Sequence, residues 1–164
     1  MRKKLFLGAL ITVALMISVP MVQAQGRVKA GPDPATIRDP DLEKDSLHNL
    51  EVARNYFKLK KAYVAALKRC EEIIAGNPNF ARIEEVLLIA GESSLSLADK
   101  KGKQAPSLYV TFDGTTKRTL TTEQFREMAR GYLTQLITEH PESRFRPQAE
   151  EDLKALGGST SIQP

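Results

Sequence analysis

Two prolines, Pro78 and Pro141, close segments that share one apolar spacing, and this repetition constrains the fold more than any other feature. Ala66, Cys70 and Ile73 stand 12, 8 and 5 residues before Pro78, and Ala129, Leu133 and Leu136 stand at the same offsets before Pro141. Recurrence of this kind marks one supersecondary unit used more than once. The first copy runs from Leu50 to Pro78. Tyr63, Ala66, Leu67, Cys70, Ile73 and Ile74 follow a 3.6-residue period and predict a helix. A preceding helix is predicted from Leu42, Leu50, Ala53 and Phe57, with Leu47 and Tyr56 alongside. Asp39 is suited to cap it and Pro40 to open it. The basic run Lys58–Lys61 separates the two. Gly76 is expected to take the left-handed conformation that ends a helix, and Pro78 cannot continue one.

Downstream, Ile83, Val86, Leu87, Ala90, Leu95 and Leu97 predict a third helix within Phe80–Lys100. Gly91 lies inside it, and an interior glycine costs about 1 kcal/mol relative to alanine. Its usual compensation is the close approach of a neighbouring helix. The pattern then changes. Leu108 to Phe112 is rich in β-formers, Asp113-Gly114 signals a two-residue turn, and Thr115 to Leu120 is the return strand. Such a hairpin is marginal in water and must lean on something. Thr121 and Gln124 fit a capping box, and Leu120 with Phe125 fits a hydrophobic staple. The helix they start carries Phe125, Met128, Ala129, Tyr132, Leu133, Leu136 and Ile137. A last helix is expected from near Pro147, stopped by Gly157-Gly158.

The N-terminus bears on compartment. Arg2, Lys3 and Lys4 precede an apolar run, Leu5–Val19, of 15 residues, and Val22-Gln23-Ala24 offers a small-residue cleavage site. This reads as a signal peptide over residues 1–24, cut after Ala24, the alternative being an uncleaved anchor. Residues 25–38 read as a flexible linker, 39–156 as the folded domain with an insertion at 103–120, and 157–164 as a disordered tail. The whole chain has 24 basic and 20 acidic residues. Removing the three basic residues of the signal leaves 21 against 20, so the charge argument for nucleic-acid binding disappears. Cys70 is the one cysteine, which excludes an intramolecular disulfide, and its place in a helical stripe suits a small buried hydrophobe.

The residues of the repeat resemble the tetratricopeptide repeat, through Leu50, Ala53, Phe57, Ala66 and Pro78 in one unit and Gly91 and Ala129 in the next. Arg54 stands where that family has glycine, and Cys70 and Ile73 replace an aromatic and a small residue. The segments LLIAGESSLSL (87–97) and YLTQLITEHPESRFRPQAEEDLKAL (132–156) resemble BamD-like outer-membrane assembly lipoproteins and CpoB-type periplasmic repeat proteins. The chain departs from the former in lacking the lipid-bearing cysteine: Gln25 follows the cleavage site. The resemblance implies an all-α, short helical-hairpin solenoid of about 2.5 repeats, with one β-hairpin insertion. It also implies an exported, most naturally periplasmic, protein-interaction module without catalysis or cofactor, with a role in cell-envelope or outer-membrane assembly.

The chemistry-bearing residues agree with a binding role. Gly91-Glu92-Ser93-Ser94-Leu95 lacks the glycine a nucleophile elbow needs. Glu139-His140 has no metal-ligand spacing around it. Glu71-Glu72, Glu84-Glu85 and Glu150-Glu151 read as solvated helix faces. No metal is expected, and the partner is expected to be a protein or peptide of the envelope. Candidate contact positions are Asn49, Asn55, Lys58 and Glu92 on the first helices, and Tyr109 and Phe112 on the insertion. Three uses of the insertion are open: a lid over the end of the array, a docking edge of a structural subunit, or the cover of a ligand or catalytic pocket.

Overall fold

The computed structural model describes residues 38–157. The expected signal segment, all of the expected linker but Arg38, and the expected tail from Gly158 lie outside the described residues. Within them the chain is mainly helical, with one small antiparallel sheet. Helix α1 spans Pro40–Arg54, α2 Tyr63–Gly76, α3 Ile83–Ala98, α4 Thr122–Glu139 and α5 Arg146–Ala155. Strands β1 (Val110–Asp113) and β2 (Thr116–Thr119) form a hairpin between α3 and α4.

Local chemistry starts two helices as the sequence predicts. The Asp39 carboxylate accepts from the Asp41 and Leu42 amides, with Pro40 in the first turn. Thr121 and Gln124 close a reciprocal capping box at the start of α4. Each helix packs on the next in the chain, α1 on α2, α2 on α3, α3 on α4 and α4 on α5, and α1 also touches α3. The repeat spacing lands in that shared core. Ala66, Cys70, Ala129, Leu133 and Leu136 are fully buried and Ile73 nearly so. Gly91 explains itself: a Cβ built on it would lie 2.7 Å from both Cγ and Cδ2 of Leu133, so glycine is what lets α4 approach α3. Cys70 is buried, and burial pushes its thiol far up, away from the reactive thiolate.

Three expectations need correction. The first helix does not stop before the basic run. It continues through a π-helical segment, Asn55–Lys60, and reverses at Lys61, whose φ is +50°. The left-handed residue is therefore Lys61 and not Gly76, which stays helical while the chain turns at Asn77. The cause is tertiary. The Lys61 carbonyl accepts from the Lys103 amide at 2.9 Å, and Gln104 Oε1 accepts from Ala65 N–H at 3.1 Å. The loop after α3 thus supplies a cap for α2 that α2 lacks in its own sequence. Gly102, at φ +90°, permits this contact, because a Cβ there would stand 2.5 Å from the Lys61 oxygen. The third correction concerns the hairpin turn. Asp113 pairs with Thr116, so Gly114 and Thr115 are the central residues. Gly114, at φ +61°, takes the first central position, where a type II′ hairpin wants glycine.

The lid reading of the insertion also loses its support. All of β2 is exposed, Phe112 is 71% exposed and only Val110 and Thr111 at the base of β1 are half-buried, so the hairpin beyond its base covers no core. Only the root of the insertion enters the core, through Tyr109, which is 4% exposed.

Candidate partner-binding groove

Helix α3 and its C-cap Asp99 present Glu92, Leu95, Ser96 and Asp99 at spacings of three, four and seven, which is one face over two turns. That face is the floor of a groove of about 450 Å³. Phe57, from the π-helical extension of α1, forms one wall. Asp152 of α5 and Leu156, which caps that helix, form another, and Arg126 of α4 and Lys101 complete it. Phe57 is held by edge-on packing on Tyr63, with ring centroids 5.6 Å apart. The π-helical turn therefore has a positional role: it brings an aromatic from α1 to a surface shared with α3 and α5.

Charge is divided along the groove. Glu92 is half-buried, and burial pushes its carboxyl up to about 7, helped by the charge of Asp152 and opposed by Lys58. Asp152 is raised as well, first by its own burial and then by Glu151, with Gln148 acting against the rise. Its Oδ2 is buried and has no hydrogen-bond partner. Two turns away, about 10 Å along the helix, Asp99 sits 2.9 Å from the Lys101 ammonium and 4.0 Å from the Arg126 guanidinium. The groove combines apolar contact from Phe57, Leu95 and Leu156 with an under-satisfied acidic end and a cationic end. Among the described residues no group of three or more His, Cys, Asp or Glu is arranged to hold a metal ion.

Glu92 makes stability depend on pH. Its folded pKa lies above the ordinary 4.5, so between these values the folded state binds more protons than the unfolded state. Stability contributed by this group therefore falls as pH rises from 4.5 through about 7. Urea denaturation of wild type and Glu92→Gln at about pH 5 and about pH 8 will show a shallower decline in the variant. Equal slopes would mean that Glu92 is as well hydrated folded as unfolded.

The sequence-predicted contact residues separate. Glu92 lies in the groove and the exposed Lys58 acts on it electrostatically. Asn49, half-buried, and Asn55, exposed, lie outside its lining. Tyr109 is an anchor. Its hydroxyl donates to Glu71 Oε1, which also accepts from the Tyr132 hydroxyl at 3.3 Å. Its ring meets Phe125 edge-on at 5.6 Å, and the Lys68 ammonium lies 5.5 Å over it. Burial raises the Glu71 carboxyl, and the two tyrosines and Lys68 work against that rise. Phe112 stands in solvent, so nothing closes a pocket over it, and neither residue lines the groove or the two smaller cavities beside α3, of about 390 and 320 Å³.

Sequence reading missed Asp152, Arg126 and Lys101, which reach the groove from three separate segments. It also missed Arg54. Arg54 donates to Glu85 through Nε at 2.5 Å and Nη2 at 2.6 Å. Glu85, one of the supposed solvated pairs, is 8% exposed. The Arg54–Glu85 spacing, 31 residues, carries no local signal. No helix among the described residues is long and apolar enough to cross a membrane. No family model, curated protein or solved structure matches this chain.

Proposed function

We propose that this chain is a non-catalytic, exported protein-interaction module of the cell envelope, a short tetratricopeptide-like array that receives a peptide segment in the groove over α3. The single observation that carries the reading is the composition of that groove. It is walled by the first helix of each unit, α1, α3 and α5, and it combines Phe57, Leu95 and Leu156 with unbalanced charge at Glu92 and Asp152. The matched burial of Ala66, Cys70 and Ile73 with Ala129, Leu133 and Leu136 supports repeated hairpins as the scaffold. The export signal at residues 1–24 supports the compartment, and the resemblance to periplasmic repeat proteins supports a role in envelope or outer-membrane assembly.

A photocrosslinking amino acid at Ser96, in the groove, compared with one at the exposed Thr138 of α4, tests this in cells expressing the full chain. The expected result is discrete adducts from position 96, absent from position 138, that contain β-barrel assembly or cell-wall components. Equal labelling at both positions would remove the groove reading. Groove-specific adducts made only of cytoplasmic proteins would remove the envelope reading.

A further inference from the structure

The hairpin carries groups that neither the core nor the groove uses. Its root is fixed by Tyr109 on Glu71, Phe125 and Lys68, and by the Gly102–Gln104 loop on α2. Beyond the half-buried Val110 and Thr111 it is bare. Leu108 is 59% and Phe112 71% exposed, and every residue of β2 faces solvent. A strand pair held firmly at one end and uncovered at the other is a presented edge.

Register shows what the edge offers. The pair flanking a two-residue loop exchanges its hydrogen bonds, so Asp113↔Thr116 and Thr111↔Arg118 are bonded pairs. Lys117 and Thr119 then turn their N–H and C=O groups away from β1. Unpaired backbone of this kind is a template for another strand. The side chains restrict which strand. Lys117 and Arg118 project to opposite faces, so an added strand meets a cation on either face. Arg118 has an exposed partner, Asp113, at 3.1 Å, whereas Lys117 has no ion pair among the described residues.

We infer that the β2 edge accepts an extended segment of a partner protein as a third strand, one that places acidic residues beside Lys117 and Arg118. Charge complementarity selects this occupant over two others. Antiparallel pairing of β2 with β2 of a second copy sets Lys117 and Arg118 against like charges, which is destabilising. The apex, Asp113-Gly114-Thr115-Thr116, is polar and carries an acid, so it is poorly suited to entering lipid. The site is independent of the groove, and either can fail alone.

The test is an NMR titration of the protein with a short synthetic peptide alternating valine and glutamate. The same peptide with lysine for glutamate is the control. The acidic peptide is expected to shift the amides of Lys117 and Thr119, and the lysine peptide to leave them in place. Lys117→Glu removes the charge match, and an opposite-charge contact turned repulsive weakens binding about tenfold. Thr119→Pro removes an outward N–H without touching the β1 pairing, and proline is tolerated on such an edge; it is expected to weaken binding by a similar factor. Both variants should keep the wild-type helical circular dichroism, because β2 buries nothing. Wild-type affinity in Thr119→Pro, or equal binding of the two peptides, overturns strand addition. So does a result in which the peptides leave β2 unperturbed while phosphatidylglycerol vesicles bind the hairpin, or while sedimentation shows copies joined through it.

Discussion

Gly91→Ala will destabilise the domain by about 1–3 kcal/mol, although alanine is the better helix former. Propensity alone favours alanine by about 1 kcal/mol in a helix interior. The added methyl, however, would lie 2.7 Å from two carbons of Leu133, a residue with no solvent exposure, on the most extensively packed helix pair of the domain. One of those carbons is Cγ, so turning the end of the side chain does not clear the clash and α4 must shift. Leu133→Ala alone leaves a cavity and costs about 2–5 kcal/mol. In the double variant the new methyl occupies part of that cavity. The combined loss should then fall short of the sum by about 1 kcal/mol or more, the mark of residues in contact. Urea denaturation of the four proteins measures it. A Gly91→Ala protein as stable as wild type would show that α3 and α4 do not need the close approach.

Arg54→Ala should cost about 2 kcal/mol at neutral pH. Breaking a buried ion pair from one side typically costs about 3–5 kcal/mol. The lower figure applies because Arg54 keeps 25% side-chain exposure and Arg82 still reaches Glu85 at 2.9 Å. Burial pushes the Glu85 carboxyl up, but the hydrogen bonds and charge of Arg54, with Arg82, outweigh it and hold the carboxyl below its ordinary value. The hydrogen bond to Glu85 in turn raises Arg54. The sign for pH follows. A carboxyl with a depressed folded pKa contributes stability that is present above its unfolded pKa and lost as pH falls through the folded one. The gap between wild type and Arg54→Ala should therefore narrow in acid, and the Arg54→Ala/Glu85→Ala double variant should lose less than the sum of the singles. If the gap stays constant on acidification, Arg54 acts through packing of its alkyl chain and not through charge.

Arg54 shows where sequence reading ends. Its stretch of chain identifies a helix and a buried face, because Leu50 and Ala53 recur at helical spacing. It contains nothing about Glu85, since an ion pair between helices depends on where the second helix lies. The same holds for the groove. Glu92 could be named from its place on a first helix, but Asp152 is 60 residues away and looks like any other charge in an acidic helix.

What the sequence by itself determined was whatever depends on neighbours within a few residues. Asp39-Pro40 and the Thr121–Gln124 box start their helices because the cap and its amides are adjacent in the chain. The spacing before Pro78 and Pro141 placed the buried stripes because one side of a helix recurs every three or four residues. Gly91 announced a close contact because nothing else justifies a glycine there. The tertiary structure alone decided the π-helical turn, the left-handed Lys61, the shifted hairpin turn and the groove. A single π-helical turn is a rare departure from the α-helix, and here it is accompanied by packing of Phe57 on Tyr63 and by bonding of the 102–104 loop to Lys61 and α2. Charges that face solvent in an isolated helix become paired or stranded only when another helix is laid beside them, and that placement sets both the core around Leu133 and the groove around Glu92.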